Sequence, residues 1–197
     1  TLDADLQASA EEIVKRNALA NVDKFNATNM AMVALDPKSG EILTMVGSRD
    51  YFDTVIPGAY NVTTMKPGRQ PGSAFKPFAY AQAFSEGYTP DTVVFDVKTQ
   101  FSTACSPSNM TSGGDCYSPG NYDDKFRGPM TLRNALAQSI NIPAVKVLYL
   151  AGMNDVLKLA KSMGISTLTN TAQYGLTLVL GGGEVTPLDM TSAYGAF

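Results

Sequence analysis

The 197-residue sequence contains no histidine and only two cysteines. Without histidine, the Ser-His-Asp and Cys-His catalytic arrangements are excluded. With so few nitrogen and sulfur ligands, we expect no zinc site, and we predict neither a metal nor another cofactor. No run of 18 or more apolar residues occurs, so no membrane-spanning helix is predicted. The net charge is −3 and basic residues do not cluster, which argues against nucleic acid as a partner.

The two cysteines, Cys105 and Cys116, lie in a segment rich in Ser, Gly, Asn and Pro. A disulfide closing this loop could stabilise the fold by up to about 3 kcal/mol, because it restricts the unfolded chain. It would also imply an oxidising, extracytoplasmic compartment. Two free thiols in a mobile loop are the alternative that the sequence leaves open.

The length and composition suit one soluble domain, or a domain and a fragment of another. Hydrophobic residues make up 44% and charged residues 17%, which is ordinary for a globular protein. The chain starts with Thr1-Leu2-Asp3, which is neither a signal peptide nor an initiator methionine, and it stops within a helical pattern. We therefore expect it to be an excerpt of a longer protein.

The first half of the chain predicts a helix, a hairpin and a second helix. Apolar residues recur at helical spacing over residues 3–20, followed by a polar stretch to residue 29. Two β-rich runs, 31–35 and 41–47, surround an Asp-Pro-x-x-Gly turn and predict an antiparallel hairpin. A helix is predicted to follow Ser73 and to end near residues 87–90.

The second half predicts a long irregular segment followed by several short helices. Residues 91–130 are dense in Gly, Ser, Pro, Asn and Asp, which is typical of binding loops and lids. Helix starts are predicted at caps Thr131, Asn154 and Thr186, and at a first-turn Pro143. Because helices outnumber strands and the hairpin precedes them, the predicted fold class is α+β.

One stretch combines a nucleophile with a base. Ser73 follows Pro71-Gly72 at a predicted helix start, and Lys76 comes three residues later on the same face. A desolvated neutral lysine can activate a serine, and a helix N-terminus favours the negative charge that develops beside it. A serine and a lysine at this spacing also occur by chance, so the pattern alone does not establish catalysis.

A second polar pair, Ser139-x-Asn141, lies between two predicted helices. Acyl transfer from a Ser-Lys pair requires a proton carrier to the leaving amine, and the Ser139 hydroxyl could serve. The Asn141 amide could hold both the lysine and a peptide carbonyl. In isolation an inter-helix turn is the simpler interpretation. A separate run, Gly181-Gly182-Gly183, lacks a following Lys-Ser or Lys-Thr and is interpreted as a loop.

Taken together, Ser73-x-x-Lys76 and Ser139-x-Asn141 resemble the motifs of the penicillin-recognising serine enzymes. The flanking stretches 36–41, 69–78 and 184–190 are similar to the transpeptidase domain of class A, bifunctional penicillin-binding proteins. The resemblance implies a β-lactamase/transpeptidase-like α+β fold, in which an antiparallel sheet packs against helical clusters. Within it we expect an N-terminal helix and hairpin region, 1–72, and a mostly helical subdomain, 73–197.

The resemblance also implies roles for the four motif residues. Ser73 would be the nucleophile that forms the acyl-ester, and Lys76 its general base. Ser139 would relay the proton, and Asn141 would position Lys76 and the substrate amide. The implied activity is D,D-transpeptidation of peptidoglycan stem peptides, with covalent acylation by β-lactams. A non-catalytic β-lactam sensor or scaffold of the same fold is the alternative.

The sequence also departs from the family pattern. The third motif, a Lys-Thr-Gly strand facing Ser73, is absent from the 197 residues, so we expect it in a C-terminal part and do not expect this chain alone to be competent. A glycosyltransferase domain and a membrane anchor are expected in the full-length protein, on the extracytoplasmic face of a bacterial membrane. Glu184 is the only glutamate after Ser139, and its surroundings do not match a β-lactamase's hydrolytic Glu.

Overall fold

A computed structural model describes residues 2–170 and 173–197 and divides the chain into two compact units. The first unit is built from residues 2–70, 160–169 and 183–197. The second contains 71–159 and, later in the chain, 170–182. The sequence-based division at residue 72 stays a prediction.

The first unit begins with helix α1, Ala4–Phe25. The Asp3 side chain caps it by accepting a hydrogen bond from the Leu6 N–H at 3.0 Å. The predicted helix is confirmed, and it continues five residues beyond its predicted end at residue 20, to Phe25. The helix ends where Asn26 adopts a left-handed conformation with φ of 52°.

The predicted hairpin is confirmed as strands β1, Met32–Leu35, and β2, Ile42–Val46, which pair antiparallel. In the turn, Asp36 Oδ1 accepts hydrogen bonds from the Lys38 and Ser39 N–H groups at 2.7 and 3.1 Å. An Asx-type turn of this kind explains why the Asp-Pro-x-x-Gly pattern was informative.

Helix α1 packs on the hairpin and helix α6 completes this unit. Ala10 and Val14 of α1 are buried together with Val46 of β2. Helix α6, Pro187–Tyr194, begins at the predicted cap, since the Thr186 hydroxyl accepts from the Asp189 N–H at 3.0 Å.

The second unit is mostly helical. It contains α2, Lys76–Ser85; α3, Leu132–Ala137; and α4, Asn141–Ala151, while helix α5 spans Met153–Ser162. Helices α2 and α4 pack together because both carry large apolar side chains. Those with less than 2% exposure include Phe78, Tyr80, Ile142, Val145 and Leu148.

Helix boundaries in this unit partly match the expectations. The Thr131 cap is confirmed, because its hydroxyl accepts from the Asn134 N–H at 3.3 Å. Helix α4 begins two residues before the predicted Pro143. The Asn154 cap is wrong: α5 begins at Met153, and the Gly152 carbonyl accepts from the Asp155 N–H at 3.1 Å, which places Asn154 inside the helix.

The stretch predicted to be irregular is bounded by a small sheet. Strands β3, Val93–Asp96, and β4, Gly128–Thr131, pair antiparallel, so the expectation of a wholly irregular 91–130 is wrong at both ends. Four-residue strands, one containing Pro129, give too little alternation for a sequence pattern to reveal. Between them Cys105 and Cys116 form a disulfide.

The predicted α+β class is confirmed by these two small sheets and the surrounding helices. None of the helices in the described part of the chain is long and apolar enough to cross a membrane.

Candidate active site

Ser73 lies in a 3₁₀ turn, Gly72–Phe75, that leads directly into α2. The Lys76 N–H donates to the Ser73 carbonyl, so the turn closes between the two motif residues. In a 3₁₀ turn the side chains at i and i+3 lie on the same side, one above the other. Ser73 is exposed, and among the described residues no hydrogen bond uses its hydroxyl. The hydroxyl is therefore open to a substrate.

Lys76, in contrast, is buried with 1% of its surface exposed. It is the first residue of α2, and its neighbours Phe75 and Phe78 are fully buried, which draws the lysine into the core of the unit. No salt bridge of residues 2–170 and 173–197 includes Lys76. Burial lowers the pKa of Lys76 to about 8, because removing the ammonium from water disfavours its charged form.

The Lys76 ammonium donates three hydrogen bonds within the second unit. Nζ lies 2.6 Å from the Ser139 carbonyl oxygen, 3.1 Å from Ser139 Oγ and 2.8 Å from Asn141 Oδ1. The acceptors match the three N–H groups of an ammonium, and none of them carries a formal charge. The site therefore satisfies the hydrogen bonds of Lys76 while leaving its charge unbalanced.

Ser139 reaches Lys76 through an unusual backbone conformation. It joins α3 to α4 with φ of 54°, in the left-handed region that non-glycine residues rarely occupy. Two backbone hydrogen bonds hold it there, from the Ser139 N–H to the Leu136 carbonyl at 2.9 Å and from the Ile140 N–H to the Ala135 carbonyl at 3.0 Å. With its backbone held this way, Ser139 accepts hydrogen bonds from Lys76 through both its carbonyl and its hydroxyl.

The turn that carries Ser73 packs against a glycine that the sequence analysis assigned to a plain loop. Gly181 has φ of 92°, and a Cβ added there would lie 2.2 Å from the Gly72 nitrogen and 2.4 Å from its Cα. Only glycine allows the two backbones to approach so closely. The triple-glycine run offered a signal of close packing, but no local pattern identified its partner.

The structure thus brings together three of the four predicted site residues and places the fourth one turn away. Ser139 and Asn141 are 63 and 65 residues from Lys76 in sequence and contact it directly. Ser73 is linked to Lys76 through the backbone of its turn. Glu184 is exposed and belongs to the other unit. The catalytic roles of the four residues remain predictions.

Comparison with known proteins identifies a family. Residues 30–197 match the model for the penicillin binding protein transpeptidase domain. The chain is 35% identical over 195 residues to penicillin-binding protein 2D of Bacillus subtilis, covering 98% of this chain and 26% of that protein. It is 39% identical over 167 residues to penicillin-binding protein 1A of Aquifex aeolicus, covering 85% of this chain and 21% of that one.

Solved structures agree with the sequence matches. The crystal structure of penicillin-binding protein 1A from Haemophilus influenzae superposes with a TM-score of 0.70 at 30% identity, covering 85% of this chain and 23% of that one. The chain spans about a quarter of the length of the curated relatives it matches. The resemblance predicted from the motifs is confirmed.

Proposed function

The chain belongs to the penicillin-binding protein transpeptidase family, and from that premise we propose that it forms part of a serine D,D-transpeptidase that cross-links peptidoglycan stem peptides. One observation carries the proposal. A buried lysine, which has no charged partner among the residues that the structure describes, lies one turn from an exposed serine and donates to a second serine and to an asparagine. These are the parts that acyl transfer without histidine requires.

Lys76 acts as the general base. With a pKa of about 8, roughly a tenth of the side chain is neutral at pH 7, whereas an ordinary lysine would be almost wholly charged. The neutral amine removes the proton from the Ser73 hydroxyl as Ser73 Oγ attacks the carbonyl carbon between the two terminal D-alanines. The new C–O bond gives a tetrahedral oxyanion, which becomes an ester only when the C–N bond breaks, and the proton resides on Lys76.

Ser139 passes that proton to the leaving group. Of the three acceptors around Nζ, only the Ser139 hydroxyl can also donate, because carbonyl oxygens only accept. It can therefore give its proton to the departing D-alanine amine while taking one from Lys76. The C–N bond breaks, free D-alanine leaves, and Ser73 holds the acyl group.

Asn141 and the Ser73 backbone position the reacting groups. Asn141 Oδ1 is engaged by Lys76, and its Nδ2 donates to the Gly120 carbonyl at 3.1 Å. An amide nitrogen has two N–H groups, so one is left for a substrate carbonyl. The Ser73 N–H, in the first turn of the helix, serves as one donor to the oxyanion.

The acyl-enzyme is resolved by an amine from a second stem peptide. The amine attacks the ester carbonyl, the ester bond breaks, and the proton released by the amine returns to Ser73 through Lys76. A β-lactam follows the first half of this sequence, but its leaving nitrogen stays attached to the acyl group. With no efficient displacement, the ester persists and the enzyme is blocked.

The same proposal extends to the full-length protein. We propose that a Lys-Thr-Gly strand in a C-terminal part supplies the second oxyanion donor. A glycosyltransferase domain and a membrane anchor precede the domain, which works on the extracytoplasmic face of the bacterial membrane. The Cys105–Cys116 disulfide supports an oxidising compartment.

A donor-plus-acceptor assay tests the proposed function. Full-length protein is incubated with a stem pentapeptide donor and an amine acceptor, and cross-linked product and free D-alanine are measured. We expect both to form in equal amounts and to disappear in Ser73→Ala. Penicillin labelling without any cross-linked product would instead support the β-lactam sensor.

A further inference from the structure

Helix α4, which presents Asn141 to Lys76, has no cap from its own sequence. The N-cap residue Ile140 is apolar and its side chain makes no capping hydrogen bond. The first two N–H groups, those of Asn141 and Ile142, therefore need a partner from elsewhere, and Pro143 has no N–H. Asn121 supplies it: its Oδ1 lies 3.1 Å from the Asn141 nitrogen and 3.2 Å from the Ile142 nitrogen.

The Asn121 side chain is itself fixed by buried partners. Asn121 is 5% exposed, and its Nδ2 donates to Asp96 Oδ1 at 2.8 Å and to the Lys125 carbonyl at 2.7 Å. Both acceptors require the amide nitrogen on their side, so the amide oxygen must face α4. The orientation of the cap is thus determined by its neighbours.

Asp96, the last residue of β3, is fully buried. Its second oxygen, Oδ2, accepts from the Arg127 N–H at 2.9 Å and lies 3.6 Å from the Arg127 guanidinium. A buried carboxylate accepts hydrogen bonds strongly, so Asp96 holds the Asn121 amide nitrogen in place. Lys146, whose Nζ donates to the Phe95 carbonyl at 2.7 Å, adds positive charge nearby.

These contacts continue to the base. The Asn121 side chain holds the backbone of Asn141, and the Gly120 carbonyl accepts from the Asn141 side chain. The other end of the Asn141 amide, Oδ1, accepts from Lys76. We propose that Asn121 and Asp96 are positioning residues that hold Asn141 in register with Lys76 and so set the acylation rate. The proposal rests on the proposed function, because the acylation step belongs to that function. Neither residue touches the reacting atoms, so both act through Asn141.

A reciprocal exchange tests the proposal in the full-length protein. Asn121→Asp sets two carboxylates against each other, and Asp96→Asn leaves a donor facing a donor on one of its two sides. The double variant keeps an acceptor facing α4 and restores the bond between the two side chains with its direction reversed, although the Lys125 carbonyl loses its donor. The matched control is Asn134→Asp, the same chemical change at an exposed position of α3.

Acylation by a fluorescent penicillin is the readout, separated into noncovalent binding and the acylation rate constant. A shift of about 1 Å in a catalytic group can cost up to about a hundredfold. We expect each single variant to lower the rate constant at least about tenfold with binding changed less than about twofold. The double variant should recover part of the loss and be faster than the slower single variant, and the control should match wild type.

A purely structural role would give a different pattern: the correctly folded fraction would fall, but the rate constant of that fraction would not. That result, or a double variant no faster than the slower single variant, would overturn the proposal. Should a swap variant fail to fold, Asn121→Ala removes the cap without adding charge and should lower the rate constant similarly.

Hydrogen exchange provides a readout that does not depend on activity. In Asn121→Ala, exchange of the Asn141 and Ile142 N–H groups should accelerate at least about tenfold, because they lose the cap that Asn121 supplies. Unchanged exchange would refute the positioning role. If instead penicillin labelling survived Ser73→Ala, the proposed function would fail while the exchange result still decided whether Asn121 holds α4.

Discussion

At the scale of single residues, the proposed mechanism depends on the burial of Lys76. Its three hydrogen-bond partners are uncharged, so nothing among the described residues stabilises its ammonium as a carboxylate would. Burial therefore acts unopposed on the pKa and lowers it to about 8. A base with this pKa lies near the pH at which it must work.

This pKa predicts the pH dependence of acylation. The reactive form of Lys76 is the neutral amine, which is lost as pH falls below about 8. The acylation rate should rise about tenfold between about pH 7 and about pH 9 and then level off. Stopped-flow labelling of full-length protein with a fluorescent penicillin measures it. Lys158→Arg, on the exposed face of α5, should leave the profile unchanged, whereas a rate that is flat with pH would contradict the role of Lys76.

The backbone of Ser139 allows the effect of its hydroxyl to be separated from that of its conformation. Both Ser139→Gly and Ser139→Ala remove the hydroxyl and should lower acylation by about a hundredfold or more. Because φ is 54°, glycine should fit better, and the Gly variant should be more stable than the Ala variant by about 1 kcal/mol. Labelling rates and thermal denaturation test the two effects separately. Full activity in Ser139→Gly would exclude the hydroxyl as the proton relay.

At the scale of secondary structure, the position of the Ser73 turn depends on its contact with Gly181. A methyl group at Gly181 would overlap the backbone of Gly72, so Gly181→Ala must displace one of the two segments. We expect at least a tenfold loss of acylation and a lower melting temperature. The control is Gly175→Ala, where an added Cβ meets nothing within 4 Å and φ is −108°. Equal behaviour of the two variants would mean that this contact does not position the nucleophile.

What could be predicted from sequence at this scale follows from how local each signal is. The caps at Thr131 and Thr186 and the hairpin turn at Asp36 depend on residues within three positions, and all were predicted. The cap of α4 was not, because its partner Asn121 is 20 residues away from Asn141. Strands β3 and β4 were not predicted for the same reason, since they are defined by pairing across a long segment.

In the candidate site, too, some features were predicted from sequence motifs and others depend on long-range contacts. The motifs predicted that Lys76, Ser139 and Asn141 would act together, and the structure places them within hydrogen-bonding distance. The left-handed conformation of Ser139 and the contact of Gly181 with Gly72 had no sequence signal that named their partners. They arise from packing between segments far apart in the chain.

At the scale of the whole molecule, the disulfide stabilises the unit that carries the candidate site. Cys105 and Cys116 close a short loop in the segment that also supplies Asn121. Replacing both with serine should lower the free energy of unfolding by up to about 3 kcal/mol, measured by urea denaturation. Alkylation of the unreduced protein should modify neither cysteine. Two alkylated thiols would show that the bridge is absent.

Membership of the family is established over residues 30–197, and the chain spans about a quarter of the length of the curated relatives it matches, so the activity of a full-length protein is a proposal. The division of labour within that protein is a proposal. For this chain the proposal reduces to one specific claim, namely that the oxygen of the exposed Ser73 hydroxyl becomes acylated.

Peptide mapping by mass spectrometry after treatment of the full-length protein with penicillin tests that claim most directly. We expect one adduct with the mass of the intact β-lactam, carried by the peptide that contains Ser73, and no adduct in Ser73→Ala. An adduct on Ser139 or on any other residue, or labelling that persists at the wild-type rate in Ser73→Ala, would contradict it.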